Sequence, residues 1–398
     1  MRKITSNSSN ANEDESDQFI AQKRLPELDA LRGFSALAVV IVHLLNYFPA
    51  NNYTPDNPLL DISYYRLLIN GQTYVLLFFL ISGFVLSYPY FSGFKSKSSL
   101  SLDILNRTPR LLIPICIAGI VGFLIQKVAG SLSATELEVF DRVFWIKFWD
   151  VSDWSFLNAL AFLPGKVLFF YDSDNSFNRN LWTMPVEYTM SMAIFLIVAI
   201  QNRLNLTAAG LVVASVLLWA SWQGSSYEIM VRSFYGSMFF VGCFLAWQLC
   251  RNGSMIEKLC SNSAFTYLIV GVLISAIAKL SSTWLVFILI FQHLSAFIIF
   301  LIGIRWIRFR LYKSRKLYSY IGRTSFQLYL IHGSVLYLVF SLFVRNVDVF
   351  GPLYFLIAAT ISLVLSFLLA DILTRIADVY LVGMTKRFLV KLLNRTDA

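Results

Sequence analysis

The chain has 398 residues, of which 57% are hydrophobic and 14% are charged, and its formal net charge is +10. Soluble domains carry about 25% charged residues, so this composition excludes an ordinary soluble protein and is typical of a membrane protein. The basic residues cluster in short segments between apolar runs. They therefore indicate membrane topology and contacts with anionic lipid or an anionic cosubstrate, and no nucleic-acid binding is expected.

The two ends of the chain are polar. Residues 5–18 are rich in Ser, Asn and acidic residues, which predicts a disordered cytoplasmic tail at 1–24. No apolar core precedes a cleavage site there, so no removable signal peptide is expected. The basic residues at 376–398 predict a cytoplasmic C-terminal tail. The four cysteines form no Cys-x2-Cys pair, so neither a disulfide framework nor a metal site is expected.

Between these tails, residues 25–375 form one transmembrane domain in which apolar segments alternate with short polar loops. Segments of about 20 apolar residues can cross about 30 Å of hydrocarbon. The pattern predicts an all-α membrane protein, a bundle of about ten transmembrane helices. The segments lie at about 30–48, 72–91, 108–126, 181–200, 206–222, 232–250, 264–280, 283–304, 318–344 and 350–373.

The distribution of lysine and arginine sets the orientation. With a cytoplasmic N-terminus, most of them, including the run at 305–316, fall in cytoplasmic loops. This predicts a multi-pass protein of a bacterial-type inner or plasma membrane with both termini in the cytoplasm. The long loop at 127–180, between the third and fourth helices, contains an apolar patch at 157–171 that Pro164 interrupts. Because the patch is too short to span, it predicts an interfacial or re-entrant segment.

The first apolar segment contains an arginine and a histidine eleven residues apart, Arg32 and His43. Eleven residues correspond to about three helical turns and about 16 Å of rise, so both side chains lie on nearly one face at different depths. A histidine buried in a bundle should be a neutral imidazole, which can take a proton from a hydroxyl that attacks a thioester carbonyl. A polar interhelical contact for His43 and a lipid anchor for Arg32 are the structural alternatives.

Further charged residues begin the third and fourth segments. In Arg107-Thr108-Pro109-Arg110 the two arginines share a helix face and can bind phosphate oxygens, although the positive-inside rule alone would also place them there. Glu187 enters the fourth segment and should be neutral or paired, or else be an interfacial carboxylate with access to water.

Five stretches of sequence follow one another along the chain in a recognisable order: Leu28-Asp29-Ala30-Leu31-Arg32 with His43, Phe78-Phe79-Leu80-Ile81-Ser82-Gly83-Phe84, Arg107–Arg110 followed by Pro114, Leu181-Trp182-Thr183-Met184-Pro185-Val186-Glu187, and Gly322–His332 with Ser325 and Tyr329. Together they resemble the acyltransferase-3 family of integral-membrane acyltransferases. One departure is Asn106, which stands where the family often has an arginine.

The resemblance implies transfer of an acyl group, most simply acetyl, from cytoplasmic acyl-CoA to a hydroxyl of a carbohydrate or lipid-linked glycan. Acyl-CoA is then a cosubstrate, and no permanently bound cofactor is expected. His43 would be a general base or a transient acyl carrier, and the sequence leaves both routes open. The resemblance implies that His43, Arg32 and Glu187 are catalytic and that the substrates contact Arg107, Arg110, Ser82, Gly83, Trp182, Tyr329 and His332.

Each of these residues also has a structural interpretation. Ser82-Gly83 is a small-residue notch that helix packing alone would explain, and His332 can be a structural histidine. A transporter or flippase for a lipid-linked sugar or small anion is the rival function, although no duplicated halves are visible. Another kind of membrane O-acyltransferase would pair His332 with Asp371. His293 is interpreted as a packing residue.

Overall fold

The computed structural model describes residues 26–47, 70–140, 146–147, 149–169, 171, 176–200, 227–251, 285–310, 315–346 and 351–396. Nearly all of the regular secondary structure in these ranges is helical, which confirms the predicted all-α class. The helices are α1 (Pro26–Leu44), α2 (Gly71–Phe91), α3 (Leu100–Ala129), α4 (Ala134–Glu138), α5 (Phe156–Phe169), α6 (Met184–Ile200), α7 (Tyr227–Arg251), α8 (Leu285–Arg310), α9 (Arg315–Asn346), α10 (Pro352–Leu373) and α11 (Val382–Thr396).

Short helical segments of other types adjoin several of these helices. One 3-10 turn, Leu45–Tyr47, continues α1, and another, Arg179–Thr183, precedes α6. A π-helical segment, Thr374–Leu381, joins α10 to α11 without a break. Residues 376–396, which the sequence predicted as a separate tail, therefore continue the last helix.

Six helical stretches within the described ranges are long and apolar enough to cross a membrane. Helices α7 and α8 coincide with two further predicted segments, whereas the predicted segments 206–222 and 264–280 lie outside the described residues. A bundle of about ten spans therefore stays a prediction. The six stretches are Pro26–Tyr47, Gly71–Phe91, Lys97–Ala129, Arg179–Ile200, Lys316–Asn346 and Pro352–Leu392.

The apolar patch of the long loop forms α5, which has 14 residues. That length is below the roughly 20 residues that a helix needs to cross the hydrocarbon. Pro164 lies inside α5, and Leu163 of this helix packs against Gly119 of α3. The interfacial or re-entrant position of this segment stays a prediction.

Helices α1 and α9 pack side by side and run in the same direction. Gly33 of α1 lies against Ile321, and ten residues later His43 lies against His332, so the offset between the two helices is nearly constant. A Cβ on Gly322 would be 2.3 Å from the carbonyl oxygen of Asp29, closer than atoms can approach. Glycine at this position therefore allows the close packing that brings the two histidines together.

A second close crossing joins α2 to α7. A Cβ on Gly83 would be 2.0 Å from the carbonyl oxygen of Phe239, and one on Gly242 would be 2.0 Å from that of Leu80. The two backbones are thus in direct contact, and each helix supplies a glycine where the other passes. The structure gives Gly83 a role in helix packing.

We predict that Gly83→Ala destabilises the bundle by about 1–3 kcal/mol, because the added methyl group forces the α2 and α7 backbones apart. The measurement is thermal unfolding of the protein in detergent. Gly165→Ala is the matched control, since a Cβ on Gly165 meets nothing within 4 Å and this glycine also lies in a helix. Equal melting temperatures for the Gly83 variant and the wild type would contradict the packing role.

Candidate functional site

The centre of the candidate site is a pair of histidines from α1 and α9. Nδ1 of His43 lies 2.8 Å from Nε2 of His332, and the two rings stack with centroids 5.0 Å apart. Nδ1 of His332 in turn lies 2.9 Å from the carbonyl oxygen of Leu328. His332 is fully buried, with 0% exposure, whereas His43 is only half-buried.

This chain of hydrogen bonds determines the tautomers of both rings. A carbonyl oxygen only accepts, so Nδ1 of His332 carries the hydrogen and donates it to Leu328. In the neutral ring, Nε2 of His332 is then the acceptor, and Nδ1–H of His43 donates to it. Nε2 of His43 therefore carries a lone pair, which is the form that can accept a proton or attack a carbonyl carbon.

The segment before α6 is fastened to α9 directly beside this pair. Nδ2 of Asn178 donates to the carbonyl oxygen of Leu330 over 3.1 Å, and Nδ2 of Asn180 donates to that of Tyr329, also over 3.1 Å. The Tyr329 hydroxyl donates to the carbonyl oxygen of Asn180 and accepts from the Thr183 hydroxyl. These bonds hold the Tyr329 ring 6.1 Å from the His332 ring.

The two asparagines and Thr183 were not among the predicted site residues. Their signal in the sequence is the Asn-x-Asn pattern immediately before an apolar segment, which also places Asn178 at the N-cap of the 3-10 turn. Their role was invisible in the sequence because their partners are backbone carbonyls, which carry no sequence signal.

Glu187 is paired with an arginine rather than with a histidine. Its Oε1 forms an ion pair with Nη2 of Arg107, and Nε of Arg107 donates to the Ser191 hydroxyl over 2.9 Å. Both members are largely buried, with side-chain exposures of 9% and 14%. The pair satisfies the requirement that a carboxylate inside the membrane be neutral or paired, and it connects α3 to α6.

Arg32 and Arg110 lie close enough to Arg107 for their charges to repel it. Asp378, in the π-helical segment, attracts both Arg32 and Arg110. Nε of Arg32 is buried and has no hydrogen-bond partner among the described residues, while Arg110 is exposed. We call these three arginines the arginine cluster. With two carboxylates beside it, its net charge is positive, which suits a ligand with several phosphate groups.

The other predicted substrate-binding residues lie at contacts between helices. The Trp182 ring packs edge-on against Tyr235 of α7, with centroids 4.8 Å apart. Ser82 is half-buried beside Gly83, near the crossing of α2 and α7. The described contacts of Trp182 and Gly83 thus join α2, α7 and the turn before α6.

The structure bears on two interpretations from the sequence, the packing role of His293 and the pairing of Asp371 with His332. Nε2 of His293 lies 2.8 Å from the Ser237 hydroxyl and 3.1 Å from the carbonyl oxygen of Phe234, which connects α8 to α7 and agrees with a packing role. Asp371 forms an ion pair with Arg375 at 2.7 Å and lies 3.9 Å from Arg323. The structure therefore gives Asp371 arginine partners instead of His332.

Comparisons with known proteins identify the chain's relatives. A family model described as an acyltransferase domain matches residues 25–371. The chain is 27% identical over 204 residues to the O-acetyltransferase PaAT-1 of Phomopsis amygdali, an alignment that covers 45% of the chain. The alignment spans 41% of that relative's length. No solved structure matches.

We predict that Arg107→Met destabilises the protein by about 3–5 kcal/mol, because it leaves the Glu187 carboxylate buried without its partner. The double variant Arg107→Met/Glu187→Met should recover most of this loss, since two apolar side chains replace the pair. Thermal unfolding in detergent measures both.

The control is Lys95→Met, which removes one member of the ion pair Lys95–Asp103. The Lys95 side chain is 41% exposed, so solvent screens this pair and the expected cost is at most about 1 kcal/mol. Equal losses of stability for Arg107→Met and Lys95→Met would contradict a buried, structurally important pair at Glu187.

Proposed function

Because the chain belongs to the acyltransferase-3 family, we propose that it transfers an acyl group from cytoplasmic acyl-CoA to a hydroxyl of a sugar or lipid-linked glycan. The family match supports membrane acyl transfer, and the similarity to a curated O-acetyltransferase favours acetyl as the group. The observation that carries the proposal is the histidine pair, which orients the lone pair of a half-buried imidazole inside the bundle.

The arginine cluster is proposed to bind the phosphate groups of the donor. A guanidinium group can donate two parallel hydrogen bonds to the oxygens of a phosphate group. Among the described residues, Arg32 and Arg110 form no ion pair within 4 Å, so they are available for this contact. Arg32 lies eleven residues before His43 on the same helix face, about 16 Å below it. An extended pantetheine arm can cover this separation. When the phosphates are bound at Arg32, the thioester therefore lies beside His43.

In the direct route, Nε2 of His43 takes the proton of the acceptor hydroxyl as its oxygen attacks the thioester carbonyl. The C–S bond then breaks, and the thiolate of CoA leaves and takes the proton back from the imidazolium. His332 assists because the hydrogen bond from Nδ1–H of His43 strengthens when His43 becomes positively charged.

In the carrier route, Nε2 of His43 attacks the thioester itself and CoA leaves as the thiolate. The acceptor hydroxyl then attacks the resulting acyl-imidazolium, the bond between Nε2 and the acyl carbon breaks to restore neutral His43, and the hydroxyl proton passes to the CoA thiolate. This route suits an acceptor that reaches the site from the outside, consistent with a multi-pass protein in the plasma membrane with both termini in the cytoplasm. Both routes need the same tautomer of His43.

We predict that His43→Ala lowers acetyl transfer by at least about a hundredfold, because the proton-accepting or acyl-accepting nitrogen is lost. The measurement is transfer of label from radioactive acetyl-CoA to a glycan fraction by membranes that contain the protein. His293→Ala is the control, since it removes another half-buried, hydrogen-bonded histidine and should leave transfer near the wild-type rate. Wild-type transfer by the His43 variant would end the proposal, and uptake of substrate without release of CoA would favour a transporter.

We predict further that His332→Gln retains more activity than His332→Leu. A glutamine oxygen can still accept the hydrogen of His43 Nδ1, whereas leucine cannot, and a hydrogen bond to a group that becomes charged contributes about ten- to a hundredfold in rate. The difference should lie in kcat, with the KM for acetyl-CoA unchanged. Equal kcat values for the two variants, at equal amounts of folded protein, would show that His332 only fills space.

A further inference from the structure

A polar side chain of α9 lies at a depth between those of Arg32 and the histidine pair. Gln327 of α9 is fully buried, with 0% exposure. It is five residues, or about 7.5 Å, before His332 on α9. It is also six residues, or about 9 Å, beyond Ile321, which packs against Gly33 next to Arg32. Gln327 is thus at the depth that a ligand joining Arg32 to His43 has to pass.

The orientation of the Gln327 amide follows from its partner. Nε2 donates to Oδ2 of Asp378 over 3.4 Å, and a carboxylate can only accept, so the two ends of the amide are distinguished. The other end of the amide is the oxygen Oε1, which is buried and has no hydrogen-bond partner among the described residues. Buried amide oxygens are nearly always hydrogen-bonded, so Oε1 of Gln327 is an acceptor that a ligand passing at this depth can use.

We propose that Oε1 of Gln327 accepts a hydrogen bond from an amide N–H of the pantetheine arm of acyl-CoA. This inference rests on the proposed function, which fixes the two ends of the donor at the arginine cluster and at His43. Between its phosphates and its sulfur, the arm carries two amides, and these supply its only N–H donors.

Asp378 connects Gln327 to the phosphate site. Its carboxylate accepts a hydrogen bond from Gln327 and attracts the charges of Arg32 and Arg110, so one residue of the π-helical segment interacts with both parts of the proposed donor path. π-Helical segments within longer helices are frequent at functional sites. The consequence is specificity: the site distinguishes thioesters with an amide-bearing arm from simple thioesters.

The test compares three acetyl donors: acetyl-CoA, S-acetylpantetheine, which lacks the nucleotide phosphates, and S-acetyl-2-mercaptoethanol, which lacks both amides. The variant is Gln327→Met, which has a similar size but no amide. It should raise the KM about tenfold for both amide-bearing donors, the loss of one hydrogen bond. It should leave the KM for S-acetyl-2-mercaptoethanol unchanged, and turnover of that donor also reports the amount of folded enzyme.

Gln126→Met is the matched control. Gln126 of α3 is likewise buried, with 1% exposure, and has an Oε1 without a hydrogen-bond partner among the described residues. It donates to Ser334, however, beyond His332 and away from the arginine cluster. The Gln126→Met variant should leave the ratio of the KM values for the three donors at the wild-type value.

Three results would count against the inference. Equal loss with all three donors would overturn it, because Gln327 would then only support the fold. If Gln327→Met does not fold, Gln327→Asn is the second variant: it keeps the carboxamide on a shorter side chain, so its KM for the amide-bearing donors should rise above the wild-type value. A KM equal to that of the wild type would overturn the inference. Wild-type protein that transfers acetyl from none of the donors would overturn the proposed function and this inference together.

Discussion

The hydrogen bond between His43 and His332 depends on how closely α1 and α9 approach each other. Glycines at 33 and 322 let the two helices pack in parallel, and this register brings together two residues that are far apart in the chain. Inside a bundle, where water does not compete, a chain of hydrogen bonds from backbone to ring to ring is costly to break. The orientation of the His43 imidazole is therefore a property of helix packing.

The same low-dielectric environment restricts the charged residues. A buried carboxylate without a partner is expensive, so Glu187 takes Arg107 as its partner, and the pair becomes part of the α3–α6 contact. This leaves Arg32 and Arg110 with Asp378 as the carboxylate that attracts them both. The cluster keeps a net positive charge. Without the two carboxylates, the repulsion among the three arginines would be much greater.

The sequence predicted much of the helical framework because apolar length and charge distribution report directly on membrane insertion. It also placed Arg32 and His43 on one face, since helical periodicity follows from spacing alone. It could not predict that His332 touches His43, because periodicity determines the face of a helix but neither its neighbour nor its offset. For the same reason, Glu187 was predicted to be catalytic and Arg107 to contact a substrate, and the ion pair between them was not predicted. The predicted cytoplasmic tail at 376–398 stays a prediction; the structure adds that residues 376–396 are helical and continue α10.

The two histidines differ in how much of each side chain is exposed, and this difference bears on their proposed roles. His332 is enclosed by the Leu328 carbonyl below it, the His43 ring beside it and Trp149, which packs on the following residue, Gly333. His332 is 0% exposed, and its predicted contact with a substrate stays a prediction. His43 keeps accessible surface and a lone pair on Nε2. This geometry supports the proposed roles, in which His43 is the reacting imidazole and His332 is the residue that positions it.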